Sequence, residues 1–434
     1  MRFLVQPGGN ITGRHRVPGD KSMSHRAIML GALAEGVTEV QGFLEGEDAL
    51  ATIGAFRQMG VRIEGPADGR VVVHGVGLHG LQPPSAALDM GNAGTGMRLL
   101  AGILAGQTFG SELVGDASLM KRPMGRVIDP LTRMGALLNA GQGGRPPLKI
   151  LGGQTLKGIH YDLPMASAQV KSCTLLAGLY ADGRTSVTEP APTRDHTERM
   201  LRGFGYEVES ENGVIGLHGG GELTGTTIDI PADISSAAFF MVAASIAPGS
   251  DVVLEHVGVN PTRTGVLSIL SMMGADIEVS NQREVGGEPV ADIRIRHAAL
   301  RGIEIPEREV PLAIDEFPAI FIAAACAQGT TVLRGAEELR VKESDRIAAM
   351  AEGLQALGIR AEPTSDGIVI EGGVMGGGAI TTYQDHRIAM AFAIAALRST
   401  APLEILDCDH VATSFPGFAE LAVSAGLDLR VTAP

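Results

Sequence analysis

Six stretches of this chain are almost wholly apolar: 24–36, 94–106, 166–182, 235–248, 315–328 and 385–397. They are rich in Ala, Leu, Ile and Met and nearly uncharged beyond their first turn. A helix that is apolar all round is buried all round, so each stretch predicts a core helix. Between them a second phrase recurs, an amphipathic helical pattern that ends in Gly and runs into an alternating strand. Its glycines are Gly60, Gly135, Gly205, Gly274, Gly358 and Gly426. Glycine suits such a place because a helix C-terminus commonly needs a left-handed residue, where a Cβ is penalised. The interval of about 70 residues is too long for a solenoid repeat.

Each repeat reads as strand, buried helix, strand, amphipathic helix and a final strand pair, such as 360–362 with 367–370. Three repeats per half predict an α/β (α+β) protein of two similar domains, with helices buried inside and sheets outside. A doubled phrase supports duplication. Val17-Pro18-Gly19-Asp20-Lys21-Ser22 and Ile230-Pro231-Ala232-Asp233-Ile234-Ser235 each lead into an apolar run, as a turn and a capped helix start would. The first copy carries Lys21, Ser22 and Arg26. In the second, Ile234 and Phe239 stand where Lys21 and Arg26 would align, so Asp233 reads as structural. The boundary is expected within 218–231, where Gly219-Gly220-Gly221 interrupts the pattern. The longest glycine interval, from Gly274 to Gly358, holds a polar segment around 281–291 that predicts a hairpin insertion.

Composition narrows the class. With 434 residues, 44% hydrophobic and 19% charged, the chain reads as a compact soluble protein that can bury large cores. Its apolar runs fall short of the roughly 18–20 residues that span a bilayer. The N-terminus reads as a short strand, without the apolar core of a signal peptide. Cys173, Cys326 and Cys408 lie in or near core segments with no metal-like spacing, which favours reduced thiols and a cytoplasmic location. A net charge of −14 argues against nucleic acid, which wants a broad basic surface. It leaves small anions open, because these need only a few bases focused in a cleft.

Those bases gather at helix starts. Asp20-Lys21-Ser22-Met23-Ser24-His25-Arg26 precedes or opens the first buried helix, Gly91-Asn92-Ala93-Gly94-Thr95-Gly96-Met97-Arg98 the second and Ser167-Ala168-Gln169-Val170-Lys171 the third. Asp233, Asp315-Glu316 and Asp385-His386-Arg387 mark the other three. Further bases open amphipathic helices: Lys121-Arg122, Arg194 and Lys342 with Arg346. Helix N-termini offer unpaired N–H groups and a positive dipole end, so these clusters together suit a ligand with more than one anionic group. Each has a plainer reading. Asp20, Asp233 and Asp385 read equally as N-caps, His25 and His386 as packing or capping groups, and the 342–346 cluster as a solvated helix face. The glycine-rich loop 91–96 lacks the G-x-G-x-x-G order and a downstream acid, so it suits close approach of an anion better than a dinucleotide. Recurrence at so many helix starts favours the functional reading.

The segments PGDKSMSHR (18–26), GNAGTGMR (91–98), GDASLMKRPM (115–124), PMASAQVKS (164–172), TRDHTE (193–198), RVKESDR (340–346), DHRIAM (385–390) and TSFPGF (413–418) resemble the 5-enolpyruvylshikimate-3-phosphate (EPSP) synthase family of enolpyruvyl transferases. The resemblance runs from Gly13 to Ala425. It implies two domains, each of three βαβαββ units, in an inside-out α/β barrel. It places 21–229 in one domain and 1–20 with 230–434 in the other, with the active site in the cleft between them. The implied reaction moves the enolpyruvyl group of phosphoenolpyruvate to the 5-hydroxyl of shikimate 3-phosphate and releases phosphate, a step of the shikimate pathway to chorismate and aromatic amino acids. Two acid/base groups and a positive clamp suffice for it, with no metal and no organic cofactor. By the same resemblance Lys21, Asp315 and Glu343 are catalytic: Asp315 is the base near the 5-hydroxyl, Glu343 handles the methylene proton, and Lys21 contacts both substrates. Lys21, Ser22, Arg26, Ser167, Ala168, Gln169, Arg194, Asp315 and Lys342 would hold shikimate 3-phosphate. Lys21, Gly94, Arg122, Gln169, Arg346 and Arg387 would hold phosphoenolpyruvate. Neither a nucleic-acid nor a membrane partner is expected, and the resemblance suggests a monomer.

Two positions depart from the family pattern. The 167–169 and 193–198 segments resemble the branch that includes glyphosate-insensitive enzymes, yet Gly94 stands where that branch usually has Ala. That implies a sensitive or intermediate enzyme. Thr413 stands where the sensitive branch commonly has Lys, so no substrate contact is carried over there. The sister transferase acting on UDP-N-acetylglucosamine typically uses a loop Cys, and the corresponding segment 115–123 has none. An RNA-binding or RNA-cyclising repeat protein is disfavoured by the charge and by 4% aromatic residues with no Trp. A non-catalytic anion binder would have no use for Asp315 and Glu343 beside its clamp.

Overall fold

The structure, a computed structural model, describes residues 1–433. It divides into two compact units. The N-terminal unit holds residues 19–230 with 285–287, and the C-terminal unit holds 1–18, 231–284 and 288 onward. The chain leaves the C-terminal unit at Pro18/Gly19 and returns to it at Ile230/Pro231. Gly19 sits there for want of space: a Cβ on it would lie 1.8 Å from Gly42 O. The corresponding residue of the second phrase is Ala232.

The apolar stretches form the helices Lys21–Leu33, Gly94–Ala105 and Ala168–Gly178 in the N-terminal unit. In the C-terminal unit they form Ile234–Ile246, Phe317–Cys326 and His386–Ala395. The first helix starts before the fully apolar run because Asp20 Oδ1 accepts from Met23 N at 2.8 Å and caps it. The fifth starts at Phe317, since Glu316 takes the cap position and Pro318 fits the first turn. Each helix lies among buried neighbours of its own unit. The three C-terminal helices pack on one another pairwise, and in the N-terminal unit the second helix packs on both others. Gly102 makes the closest approach possible: a Cβ on it would lie 2.3 Å from Cys173 O of helix Ala168–Gly178. A methyl there would force those helices apart, an overpacking cost of about 1–3 kcal/mol.

The amphipathic helices are Glu47–Gln58, Gly125–Arg133 and His196–Gly203, then Gly265–Met272, Arg346–Ala356 and Phe418–Ala425. Their terminal glycines all have φ between 83° and 127°. These are the left-handed conformations the sequence requires.

Among the described residues there are six sheets, five of which share one pattern: a strand parallel to its neighbour, then two antiparallel ones. In the first sheet the parallel strand, Thr227–Asp229 beside Val37–Gln41, comes from the end of the third repeat, so the N-terminal unit closes on itself. The C-terminal unit is completed by the chain start. Thr12–His15 lies parallel to Asp251–Gly258, and Arg2–Val5 lies between Leu403–Leu406 and Leu429–Thr432. In the fifth repeat the sheet has three strands and the parallel neighbour is reduced to isolated bridges, Arg301 with Gln328 and Glu304 with Val332. The polar segment near 281–291 is a hairpin of Asp276–Val285 and Glu288–Arg296.

Candidate active site

Capping places the first set of side chains in the N-terminal unit. With Asp20 holding the helix start, Lys21, Ser22 and Arg26 project from its first two turns. Lys21 Nζ lies 2.9 Å from Asp48 Oδ2, and both side chains are mostly buried. Ser22 Oγ accepts from Arg194 Nη1 at 3.3 Å. Arg26 is buried and anchored on three sides, to Thr197 Oγ1 at 2.7 Å, Ser22 O at 2.9 Å and Ser172 Oγ at 2.8 Å. His25 points inward, its Nδ1 2.7 Å from Thr52 Oγ1. Burial, with Lys21 and Arg26 alongside, pushes its imidazole down to about 3, so it is a neutral packing group at working pH.

A second set gathers at the start of helix Gly94–Ala105. Arg98 Nη1 donates to Gln169 Oε1 at 2.8 Å, and Gln169 Nε2 donates to Thr95 Oγ1 at 2.8 Å. Arg122 is buried and donates to Asn92 Oδ1 at 2.5 Å, while Asn92 Nδ2 reaches Asp116 Oδ2 at 2.8 Å. Gly94 lies directly against both arginines: a Cβ on it would stand 2.8 Å from Arg122 Nη1 and 3.2 Å from Arg98 Nη1. Ser167 caps helix Ala168–Gly178 by accepting from Val170 N at 3.4 Å. Ala168 and Gln169 are therefore in its first turn, near its positive end.

The C-terminal unit carries a different arrangement, centred on Arg346. This side chain is 1% exposed. Its Nε donates to Asp385 Oδ2 at 2.8 Å, its Nη2 to Glu343 Oε2 at 2.7 Å and its Nη1 to Asp315 Oδ1 at 3.3 Å. Burial opposes the charge, but Asp385, Glu343 and Asp315 outweigh it and raise the guanidinium pKa above its ordinary value. Lys342 Nζ stands 3.4 Å from Asp315 Oδ1. Asp315 and Glu343, 14% and 15% exposed, thus sit on one buried arginine with side chains still partly open to solvent. Asp385 caps helix His386–Ala395 through Arg387 N at 2.9 Å. The Arg387 side chain is only 6% exposed and has no hydrogen bond or ion pair among the described residues. Thr413 Oγ1 donates to His410 O at 2.7 Å and is satisfied by its own turn.

The structure therefore brings Lys21, Ser22, Arg26 and Arg194 together. It groups Gly94, Arg122 and Gln169 in a second cluster, and Asp315, Lys342, Glu343, Arg346 and Arg387 in the C-terminal unit. Asp48, Asn92 and Arg98 were not singled out from sequence as partners of these groups. An acid in a helix's first turn reads as a response to the dipole, and only the fold shows that Asp48 faces Lys21. Among the described residues no group of three or more His, Cys, Asp or Glu side chains is placed to hold a metal ion, and no helix is long and apolar enough to cross a membrane.

Comparison with known proteins gives one consistent match. The family description "EPSP synthase (3-phosphoshikimate 1-carboxyvinyltransferase)" matches residues 5–421. A relative from Methylococcus capsulatus named 3-phosphoshikimate 1-carboxyvinyltransferase is 66% identical over 430 residues, covering 99% of this chain and 98% of its own. The solved structure of EPSP synthase from Acinetobacter baumannii is 61% identical, covers 100% of both chains and superposes with a TM-score of 0.88. The enolpyruvyl transferase NikO from Streptomyces tendae, 19% identical with a TM-score of 0.80, shares the fold.

Proposed function

This chain belongs to the EPSP synthase (3-phosphoshikimate 1-carboxyvinyltransferase) family, and from that premise we propose how its residues carry the reaction. The enolpyruvyl group of phosphoenolpyruvate passes to the 5-hydroxyl of shikimate 3-phosphate, and inorganic phosphate leaves. A proton delivered to the methylene carbon makes C2 electrophilic. The 5-hydroxyl loses its proton as its oxygen bonds to C2. The tetrahedral product then gives up one methyl proton and expels phosphate, which restores the enol double bond. Both proton transfers need groups poised to hold and release a proton.

Asp315 serves as base toward the 5-hydroxyl and Glu343 as the group handling the methylene proton. Arg346, hydrogen-bonded to both, fixes their separation and orientation. Lys21, Ser22, Arg26, Ser167, Ala168, Gln169, Arg194 and Lys342 serve shikimate 3-phosphate, with Asp315 at its hydroxyl. Lys21, Gly94, Arg122, Gln169, Arg346 and Arg387 serve phosphoenolpyruvate.

The observation that carries the reading is Arg387, a guanidinium 6% exposed with no protein carboxylate on it. A buried cation without a partner is costly, and an incoming carboxylate or phosphate offsets that cost.

The three free cysteines and the anionic, phosphorylated substrates fit a cytoplasmic enzyme. Each unit buries its apolar helices within itself, which fits a monomer. The deciding assay follows phosphate release from phosphoenolpyruvate. Release that depends on shikimate 3-phosphate is expected. Release with UDP-N-acetylglucosamine instead, or none with either acceptor, would overturn the reading.

A further inference from the structure

Helix Ala168–Gly178 is lined with Val170, Cys173, Leu175 and Leu176, yet it also buries Lys171 at 1% exposure. Lys171 Nζ lies 2.8 Å from Glu198 Oε1 and 3.2 Å from Glu189 Oε2, and it donates to Thr193 O at 3.4 Å. The Thr193 hydroxyl donates in turn to Glu189 Oε1. Burial pushes the Glu189 carboxyl above its ordinary range, with Lys171 and Thr193 opposing. None of these groups touches the acid/base pair.

Their placement is the informative point. All three contacts of Lys171 lie in 189–198, the segment that carries Arg194. Between strand Arg184–Thr188 and helix His196–Gly203 the chain has neither helix nor strand, and it includes Pro190 and Pro192. Within 189–193 the backbone group that receives a hydrogen bond among the described residues is Thr193 O, and Lys171 supplies it. The same helix starts with Ser167, Ala168 and Gln169, within one turn of Lys171, whose backbone N donates to Ser167 O at 3.1 Å. A second lacing lies alongside: Ser172 Oγ and Thr197 Oγ1 are 2.7 Å apart and both receive Arg26. A buried charge is a poor way to fill a core, since a hydrophobe of similar volume does so without desolvating three ions. It is a good way to hold an irregular loop in one register.

We propose that Lys171 is a positioning residue for shikimate 3-phosphate, tying the loop that carries Arg194 to the helix whose start carries Ser167–Gln169. The inference rests on the assignment of those residues to shikimate 3-phosphate. It makes no claim on phosphoenolpyruvate or on the proton transfers. Loss of Lys171 therefore weakens recognition of the phosphorylated acceptor selectively.

The test is initial-rate kinetics on the full chain with each substrate varied, together with calorimetric binding of shikimate 3-phosphate and of unphosphorylated shikimate. Lys171→Met is expected to raise KM and Kd for shikimate 3-phosphate by about tenfold or more. The KM for phosphoenolpyruvate and kcat should stay within about threefold, and the preference for the phosphorylated acceptor should shrink. Thr193→Val removes the hydroxyl link, leaves every charge in place and guards against a Lys171 variant that fails to fold. It is expected to raise the same KM about threefold at an unchanged unfolding midpoint. A folded Lys171→Met whose two KM values move together or not at all would overturn the inference, as would a Thr193→Val indistinguishable from wild type. Failure of the wild-type chain to use shikimate 3-phosphate would instead overturn the parent assignment.

Discussion

Replacing Gly94 by alanine probes the phosphoenolpyruvate clamp with one methyl group. The new Cβ would stand 2.8 Å from Arg122 Nη1, whereas ordinary contact begins near 3.4 Å, so the guanidinium must retreat by about 0.6 Å. It can do so because the clash involves the far end of a flexible side chain, but Asn92 Oδ1 holds that end at 2.5 Å. A charge-assisted hydrogen bond is worth roughly 1.5–3 kcal/mol, and partial misalignment forfeits about 1 kcal/mol of it. Since 1.4 kcal/mol is a factor of ten, KM for phosphoenolpyruvate should rise about fivefold with kcat little changed. The family resemblance implies that glyphosate competes for this clamp in sensitive members, and glyphosate is one bond longer than the substrate between its carboxyl carbon and its phosphorus. It should lose at least about tenfold more affinity than phosphoenolpyruvate does. Initial rates with phosphoenolpyruvate varied at several glyphosate concentrations give both constants. Equal losses for the two ligands would refute the steric reasoning, and no loss for either would show that Arg122 does not meet phosphoenolpyruvate beside Gly94.

Arg387→Lys should lower kcat/KM for phosphoenolpyruvate by about 10–100-fold through loss of bidentate pairing. Arg387→Gln should abolish activity yet raise the melting temperature by a few degrees, about 2–4 °C for each kcal/mol of relieved burial, as calorimetry would show. Burial and the neighbouring Lys21 and Arg26 push the His25 imidazole from its ordinary 6.5 down to about 3, so its contribution to stability is complete above pH 6.5 and fades as pH falls toward 3. Denaturation at pH 6.5 and 5.0 should show a loss of at most about 1.4 kcal/mol per pH unit that His25→Gln lacks; parallel profiles for the two proteins would contradict this. Asp315→Asn and Glu343→Gln should each cut kcat by about 10²–10⁴-fold and remove one limb of the pH–rate profile, with Glu343→Gln also suppressing solvent deuterium uptake into the product methylene. A bell-shaped profile retained in both variants would place the acid/base groups elsewhere.

The parts of the fold legible in the sequence are those set by local physics. An apolar surround fixes helices such as Ile234–Ile246, in which every residue is buried. A left-handed requirement fixes Gly60, Gly135 and their four counterparts. Contacts closed only by tertiary packing were not legible. Asp48 meets Lys21 from a different helix, and Lys171 meets Glu189 and Glu198 across an irregular loop. Gly102 and Gly94 likewise look alike in sequence. One lets two helix backbones touch and the other lies against two guanidinium groups, a distinction visible only in what a Cβ would meet.

The doubled Pro-x-Asp-x-Ser phrase shows why bases alone do not mark chemistry. Asp233 Oδ1 caps its helix through Ser235 N at 2.8 Å, as Asp20 caps the first. The second phrase, however, has a protein arginine on it: Arg263 Nη2 lies 3.0 Å from Asp233 Oδ1 and 2.8 Å from Ser235 Oγ, and Ser235 donates to Glu316. Arg263 is thus a buried cation beside its own acids, much as Arg346 is beside Asp315, Glu343 and Asp385. What separates the two is the exposure of the acids. Asp233 and Glu316 are 7% and 1% exposed, whereas Asp315 and Glu343 keep 14% and 15%. A sealed carboxylate can only hold its arginine, while an open one can also exchange a proton. On the proposed assignment, Arg346 serves the reaction first by orienting two acids, and the task of meeting an incoming anion falls more heavily on Arg387, which has no acid of its own.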